Sequence, residues 1–332
     1  MDNNTLLCQP VLFNTTKYFK IPLYSIVVAT GLPLNCLALY ALIHQMKKSV
    51  ILSVYITNLV LANLLQILTL PFWIYHSYQD HHWGLGEEFC IVSALAFRTN
   101  FYAKNCFLCL IAMERYLGLV HPLMFQRLQT IRGAIKMSVA TWFVVTVLCA
   151  TGIALQVKNP NRSQDNCLDD SVLDKGYARF KVSIIGFSFF IPCLMMGFFY
   201  FKVLLELRKV VSLEKRVKKQ IYGFVSLIIA TFFLLFMPYQ LISSFRFYSE
   251  LMTKGDNGQL CEFVKDLFIY MQVTLCLSTL DNILDPLLYI LLLKDIRAEL
   301  KDTLSIKQLA KKLKKYRRDS LIQASGLSKP FL

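Results

Sequence analysis

Charge is scarce in this sequence. Only 17% of its 332 residues are Asp, Glu, Lys or Arg, against about a quarter in an ordinary soluble domain. With a mean hydropathy of +0.48, the chain cannot cover itself with a water-exposed surface. Other absences narrow the field. No spacing suits a metal, no glycine-rich loop suits a phosphate, and no Ser/His/Asp arrangement stands out. An enzyme therefore has no residues to carry it, and neither cofactor nor metal is expected. Internal repeats and paired interrupted helices, the marks of many transporters, are missing too, which disfavours a transporter or channel. Residues 1–20 lack the basic start and apolar core of a cleavable signal peptide. No cysteine follows Cys276, so the tail offers no palmitoylation site.

What is abundant is apolar length. Hydrophobic residues make up 55% of the chain, in runs long enough to cross a bilayer. The runs fall at 21–46, 52–77, 88–120, 131–155, 177–207, 214–248 and 262–292. A backbone in lipid must satisfy its own hydrogen bonds, so each run is predicted to be a helix. The expected fold is all-α, a seven-transmembrane helix bundle over 21–292 after an extracellular segment 1–20. Residues 293–304 read as a short amphipathic eighth helix on the membrane surface, and 305–332 as a basic cytoplasmic tail. The third and sixth runs exceed the bilayer thickness and imply tilt.

The net charge of +15 is unevenly placed. Basic residues gather at Lys47–Lys48, Arg127, Arg132, Arg208 to Lys219 and Lys307 to Arg318, while the alternate loops carry Glu87, Glu88, Asp165 to Asp174 and Asp256 to Asp266. That alternation is the positive-inside pattern. It implies a multi-pass protein with its N-terminus outside and C-terminus in the cytoplasm. It also accounts for the basicity without nucleic acid; membrane lipid is the expected partner of the tail. Six of the ten cysteines fall inside apolar runs; Cys8, Cys90, Cys167 and Cys261 fall on the outer side, enough for two disulfides. Asn3, Asn14 and Asn161 open glycosylation sequons, all on that side.

Several short motifs sit in order on these helices. The third ends in Glu114-Arg115-Tyr116, followed by Val120-His121-Pro122-Leu123. The seventh carries Asp285-Pro286-Leu287-Leu288-Tyr289. Asn35, Trp142, Pro192, Tyr200 and Phe236-Met237-Pro238-Tyr239 mark the first, fourth, fifth and sixth. Together they resemble the signatures of rhodopsin-like (class A) G-protein-coupled receptors, to about Glu299. His82-Trp83-Gly84-Leu85-Gly86, Phe107-Leu108-Cys109-Leu110-Ile111 and Leu277-Ser278-Thr279 are similar to the proton-sensing, oxidised-fatty-acid and lysophospholipid subgroup, the G-two-accumulation type. Nucleotide receptors are the neighbouring group. The resemblance implies a plasma-membrane receptor that signals to a heterotrimeric G protein, with Cys90 paired to Cys167 and Cys8 to Cys261. It further implies that Glu114 holds Arg115 at rest, that Tyr200 and Tyr289 turn inward on activation, and that Phe236, Pro238 and Pro286 carry the helix movement.

The sequence departs from that pattern in the core. The second helix, which in the family usually carries an Asp, reads Asn58-Leu59-Val60-Leu61-Ala62-Asn63; Asp281 and Asp285 lie four apart on the seventh and share a face. Where the family places a small hydroxyl for a sodium ion stands Lys104. It lies eleven residues before Arg115, about 16 Å along the helix. An isolated charge at that depth is expensive, so Lys104 is expected near Asn63, Asp281 and Asp285, a tethered cation in place of sodium.

The outer half holds further cations: Arg98, Arg179, Lys181, Arg246 and Lys265, among Trp73, Phe101, Tyr102, Tyr239, Gln240 and Met271. A cationic centre walled by aromatics suits a small ligand with an acidic head and apolar tail, such as an oxidised fatty acid or lysophospholipid. A nucleotide also fits the cations, but the walls are apolar for a ribose. An amine ligand is disfavoured, since no Asp or Glu lies between Cys90 and Lys104. Protons are another alternative: His76, His81 and His82 titrate in the right range and read as exposed polar loop residues. In the tail, Arg317-Arg318-Asp319-Ser320 is a candidate phosphorylation site at Ser320.

Overall fold

The computed structural model describes residues 13–46, 51–121, 123–125, 130–158, 167–168, 175–209, 215–252 and 257–292. Seven long helices account for most of them, in the expected bundle. α1 comprises Phe13–Ile26, Val27–Gly31 and Leu32–Met46; α2 is Ile51–Tyr78, α3 Glu87–Val120 and α4 Ile131–Val157. α5 comprises Lys175–Ile185, Gly186–Phe190 and Ile191–Lys209; α6 comprises Lys215–Thr231, Phe232–Phe236 and Met237–Met252. α7 comprises Asn257–Ser278 and Asp281–Leu292, interrupted at 279–280. The eighth helix expected at 293–304, the tail with Ser320, and Cys8, Asn3 and Asn161 lie outside the described residues, as do the side chains of Asn14, Cys261, Lys265 and Tyr289.

The first helix starts at Phe13 rather than at residue 21. The expectation followed the apolar run alone, but the polar turns before it dock on the end of α2. Lys17 Nζ pairs with Asp80 at 2.9 Å, and the Thr16 hydroxyl meets His81 Nε2 at 2.9 Å. Asn14 and Lys20 thereby belong to a helix and not to a free N-terminal segment.

Among the described residues, α1, α2, α4, α5 and α6 each hold a stretch long and apolar enough to cross a membrane. α3 carries Arg98, Lys104 and Glu114, and the second part of α7 carries Asp281 and Asp285. α3 runs against α2, α4 and α5, and the second part of α7 against α1, α2 and α6. Helices surrounded by protein can hold polar groups that a lipid-facing helix cannot.

Proline shapes three of the helices in one way. Val27–Gly31, Gly186–Phe190 and Phe232–Phe236 are wide, π-type turns, and each ends two residues before a proline: Pro33, Pro192 or Pro238. A proline ring collides with the carbonyl four residues earlier and leaves it without a donor. Those carbonyls belong to Ala29, Ser188 and Leu234, each inside its widened turn. Widening moves the colliding carbonyl aside. Thr30, Ser188 and Thr231 each donate a hydroxyl to a carbonyl four residues back, at 2.7, 2.7 and 2.9 Å.

Pro286 is handled differently. It frees the Asn282 carbonyl, and the buried Asn35 side chain on α1 donates to that oxygen at 2.7 Å while also reaching Gly31 O at 2.8 Å. Asn35→Ala is expected to cost about 1–3 kcal/mol, the range for stranding a buried acceptor, read from thermal unfolding of the purified protein. In a Pro286→Ala background, where residue 286 regains its own N–H for Asn282, the loss is expected to shrink. Equal losses in both backgrounds would rule out this division of labour.

Candidate functional site: a cationic cavity above a buried ion pair

At one end of the bundle a disulfide joins Cys90 at the start of α3 to Cys167. Trp83 is buried beside them and donates from Nε1 to Gly86 O at 2.8 Å, closing the turn into α3. Gly86 has φ +87°, a conformation that costs a glycine nothing. This corner roofs a cavity of about 160 Å³ reached by α1 to α7.

Among the described residues, four cationic side chains line the cavity: Lys20, Arg98, Lys181 and Arg246. None of the described lining residues is acidic. Arg98 donates to Gln156 Oε1 at 3.0 Å and lies 3.5 Å from the Tyr177 hydroxyl; Gln156 is fixed in turn by donating to Leu168 O at 2.7 Å. Lys181 donates to the Tyr102 hydroxyl at 2.9 Å, with its ammonium 5.3 Å from that ring's centre. Arg98 and Lys181 thus rest on neutral oxygens, which position a cation without neutralising it.

Trp73, Phe101, Tyr102, Tyr239 and Met271 also line the cavity. Gln240 is buried but does not reach it. Arg179, expected in the pocket, is exposed. Helical periodicity gives the reason: Tyr177 and Lys181 are four apart and face inward, which turns Arg179 to the opposite side. The histidines also differ from expectation. His82 is exposed, but His76 and His81 are each only 1% exposed. Their rings lie 4.9 Å apart, and His76 packs between Trp73 and Trp83 and lines the cavity. The loop folds back over α2, since His81 N donates to His76 O.

Below the cavity floor lies the ion pair. Lys104 Nζ donates to Asp281 Oδ2 at 2.8 Å, and both side chains are 1% exposed. The same ammonium contacts Gln66 and donates to Asn282 Oδ1 at 3.0 Å. Asn282 Nδ2 is held by Thr279 O at 2.7 Å and Asp281 Oδ1 at 2.9 Å. The break at 279–280 therefore lets α7 present Asp281 and Asn282 to α3. Asp285 is set apart: Asn63 Nδ2 donates to its Oδ2 at 3.4 Å, and no direct contact with Lys104 is present among the described residues. Asn63 and Asp285 thus pair with each other beside the Lys104 group, where direct proximity to the ammonium was expected. Gln66 and Asn282 were not foreseen, although Gln66 follows Asn63 by three residues on one face.

An aromatic path leads from the floor toward the other end. Phe101 packs on Phe236 at 5.3 Å and on Tyr239 at 5.5 Å; Phe236 is followed by Phe232 at 6.1 Å, which stacks on Phe189 at 5.5 Å. Phe232 and Phe236 are the two ends of the wide turn before Pro238. At the far end, Arg115 Nε lies 3.7 Å from the buried Glu114. The Tyr116 ring stacks on Phe199, and its hydroxyl lies 3.1 Å from His121 Nε2. Tyr200 and Pro286 are buried.

The described residues thus place a cavity at one end of the bundle, a widened turn of α6 before Pro238, and a half-exposed Arg115 beside the buried Glu114 at the other end. Residues 34–289 match the family described as 7 transmembrane receptor (rhodopsin family). The chain belongs to that family. This receptor is 27% identical to the human "Probable G-protein coupled receptor 132" over 292 residues, covering 88% of the chain and 75% of the relative. It is 29% identical to the mouse "G-protein coupled receptor 68" over 296 residues, 87% and 77% of the two chains. It is 29% identical to the mouse "Lysophosphatidic acid receptor 4" over 272 residues, 80% and 72% of the two. It is a G-protein-coupled receptor whose apolar helices fit a multi-pass membrane protein.

The ion pair at the centre of this receptor has a direct test. Lys104→Met leaves Asp281 buried without its ammonium, and breaking such a pair from one side costs about 3–5 kcal/mol. The thermal stability of the purified receptor is expected to fall steeply, and Lys104→Met with Asp281→Asn to recover most of it. A double variant as unstable as the single one would mean that the lysine is held by something other than this charge.

Proposed function

We propose that this receptor is switched on from outside the cell by an acidic lipid, a lysophospholipid or an oxidised fatty acid, and passes the signal to a heterotrimeric G protein. The observation that carries the reading is the pairing of Arg98 and Lys181 with neutral oxygens in an aromatic cavity that has no acid among its described lining residues. A phosphate or carboxylate would complete those charges with strong hydrogen bonds. The cavity volume of about 160 Å³ is comparable to a pocket that takes a single benzene ring. It holds a head group, and the tail extends beyond it. The relative named for lysophosphatidic acid supports the same class.

In this reading the disulfide end faces outward, the N-terminus is extracellular and Arg115 faces the cytoplasm of a plasma-membrane receptor without enzymatic activity. Glu114, Arg115, Tyr116, Tyr200 and Tyr289 form the G-protein end, and Phe236, Pro238 and Pro286 the moving parts. Lys104 stands where the family binds sodium and makes that ion unnecessary. A second disulfide between Cys8 and Cys261, glycans at Asn3, Asn14 and Asn161, and phosphate at Ser320 belong to the same reading. Protons are the second reading, favoured by the buried His76–His81 pair at the cavity edge.

The test is G-protein activation in cells expressing the receptor, titrated with oleoyl-lysophosphatidate and with a hydroxylated C18 fatty acid. Assays at pH about 7.8 and about 6.5 span histidine titration. The expected outcome is a lipid response of similar size at both pH values, unchanged when sodium is replaced by an inert cation, and reduced at least tenfold in potency by Arg98→Ala. A response to acid alone would favour protons, and a sodium-dependent response would contradict the tethered lysine.

A further inference from the structure

Arg246 differs from Arg98 and Lys181 in the company it keeps. Its Nε lies 3.5 Å from Glu250 Oε1, one turn further along α6. The two side chains are 9% and 3% exposed, so water does little to screen them. At that distance the contact is an ion pair rather than a good hydrogen bond, and neither Glu250 oxygen receives a hydrogen bond among the described residues. Arg246 also reaches Met271 Sδ at 3.6 Å, with its guanidinium 5.6 Å from the centre of the Phe247 ring. Arg246, Met271 and Phe247 all line the cavity; Glu250 does not line it and meets it through Arg246. An acid this deeply buried and this loosely bonded has a cation as its reason for being there.

We propose that Glu250 is an internal counter-ion that sets how strongly the cavity attracts acidic head groups. It offsets one of the four cations that line the cavity among the described residues. An incoming phosphate or carboxylate meets Arg98 and Lys181 at full strength, but must compete with Glu250 for Arg246. Glu250 thereby weakens binding of the anion without touching it, and holds the affinity in a range from which the ligand can leave. The effect grows with the ligand's charge, so a phosphate monoester feels it more than a carboxylate, and a neutral ester does not feel it. This inference rests on the acidic-ligand reading of the cavity.

The experiment is equilibrium binding to purified receptor in nanodiscs of zwitterionic lipid. The probes are oleoyl-lysophosphatidate, a hydroxylated C18 fatty acid and the methyl ester of that acid. Glu250→Gln is expected to bind oleoyl-lysophosphatidate about tenfold more tightly, equivalent to about 1.4 kcal/mol. The gain is expected to be smaller for the fatty acid and absent for the methyl ester. In an Arg246→Gln background, Glu250→Gln is expected to add nothing, because the cycle removes the pair through which it acts. Without ligand, Glu250→Gln leaves Arg246 short of its counter-charge, so its thermal stability falls and acidic ligand restores it. If Glu250→Gln does not yield folded receptor, Glu250→Asp draws the carboxylate back from Arg246 and is expected to give a smaller shift in the same order of ligands.

Unchanged acid affinity in Glu250→Gln, with wild-type binding still dependent on Arg98, would overturn the counter-ion and leave the acidic-ligand reading standing. So would a gain that persists without Arg246, or one that extends equally to the methyl ester. Wild-type receptor that binds acid and ester alike, indifferent to Arg98→Ala, would overturn both.

Discussion

A charge inside a bilayer must find its opposite or a path to water, and the centre of this receptor is arranged around that constraint. Lys104 meets Asp281 at 2.8 Å in a site where each is 1% exposed. Neither partner could be kept there alone without a penalty of several kcal/mol. The pair joins α3 to the interrupted α7. The interruption matters, because a continuous α7 would not bring Asp281 and Asn282 together against the same ammonium. Gln66 from α2 closes the group, so three helices meet at one lysine.

The same physics appears in a second form nearer the disulfide. Arg98 and Lys181 are held by phenol and amide oxygens, which position a cation without neutralising it. Below, Lys104 and Asp281 satisfy each other and serve the frame; above, Arg98 and Lys181 rest on neutral oxygens. Between the two levels Phe101 touches both the cavity and Phe236, at the end of the widened turn of α6. Phe101 thereby connects the cavity wall to the widened turn that precedes Pro238.

Much of the architecture was legible from apolar length and the alternation of loop charge, because lipid permits few alternatives to a helix. The start of α1 was not, since residues 13–20 are polar and their helix depends on contacts with Asp80 and His81, far away in sequence. For the same reason Lys20 was taken for an extracellular residue although it lines the cavity. Lys104 could be placed opposite the acids of α7 by counting along a helix, but not which acid it would choose; that depended on the break at 279–280. Arg179 was misplaced where a count of two from Tyr177 and from Lys181 would have turned it outward. His76 and His81 looked like loop residues because nothing in the sequence shows that the chain folds back over α2. Glu250 carried a readable signal, four residues after Arg246 on one helical face, which gains meaning only once that face is seen at the cavity wall.

The most direct measurement is the structure of this receptor with oleoyl-lysophosphatidate bound. The expected result is a phosphate within hydrogen-bonding distance of Arg98 and Lys181, with Lys104 still on Asp281 beneath it. A head group bound elsewhere in the bundle, or a Lys104 that leaves Asp281 to reach the ligand, would contradict the separation of structural from ligand-binding charge.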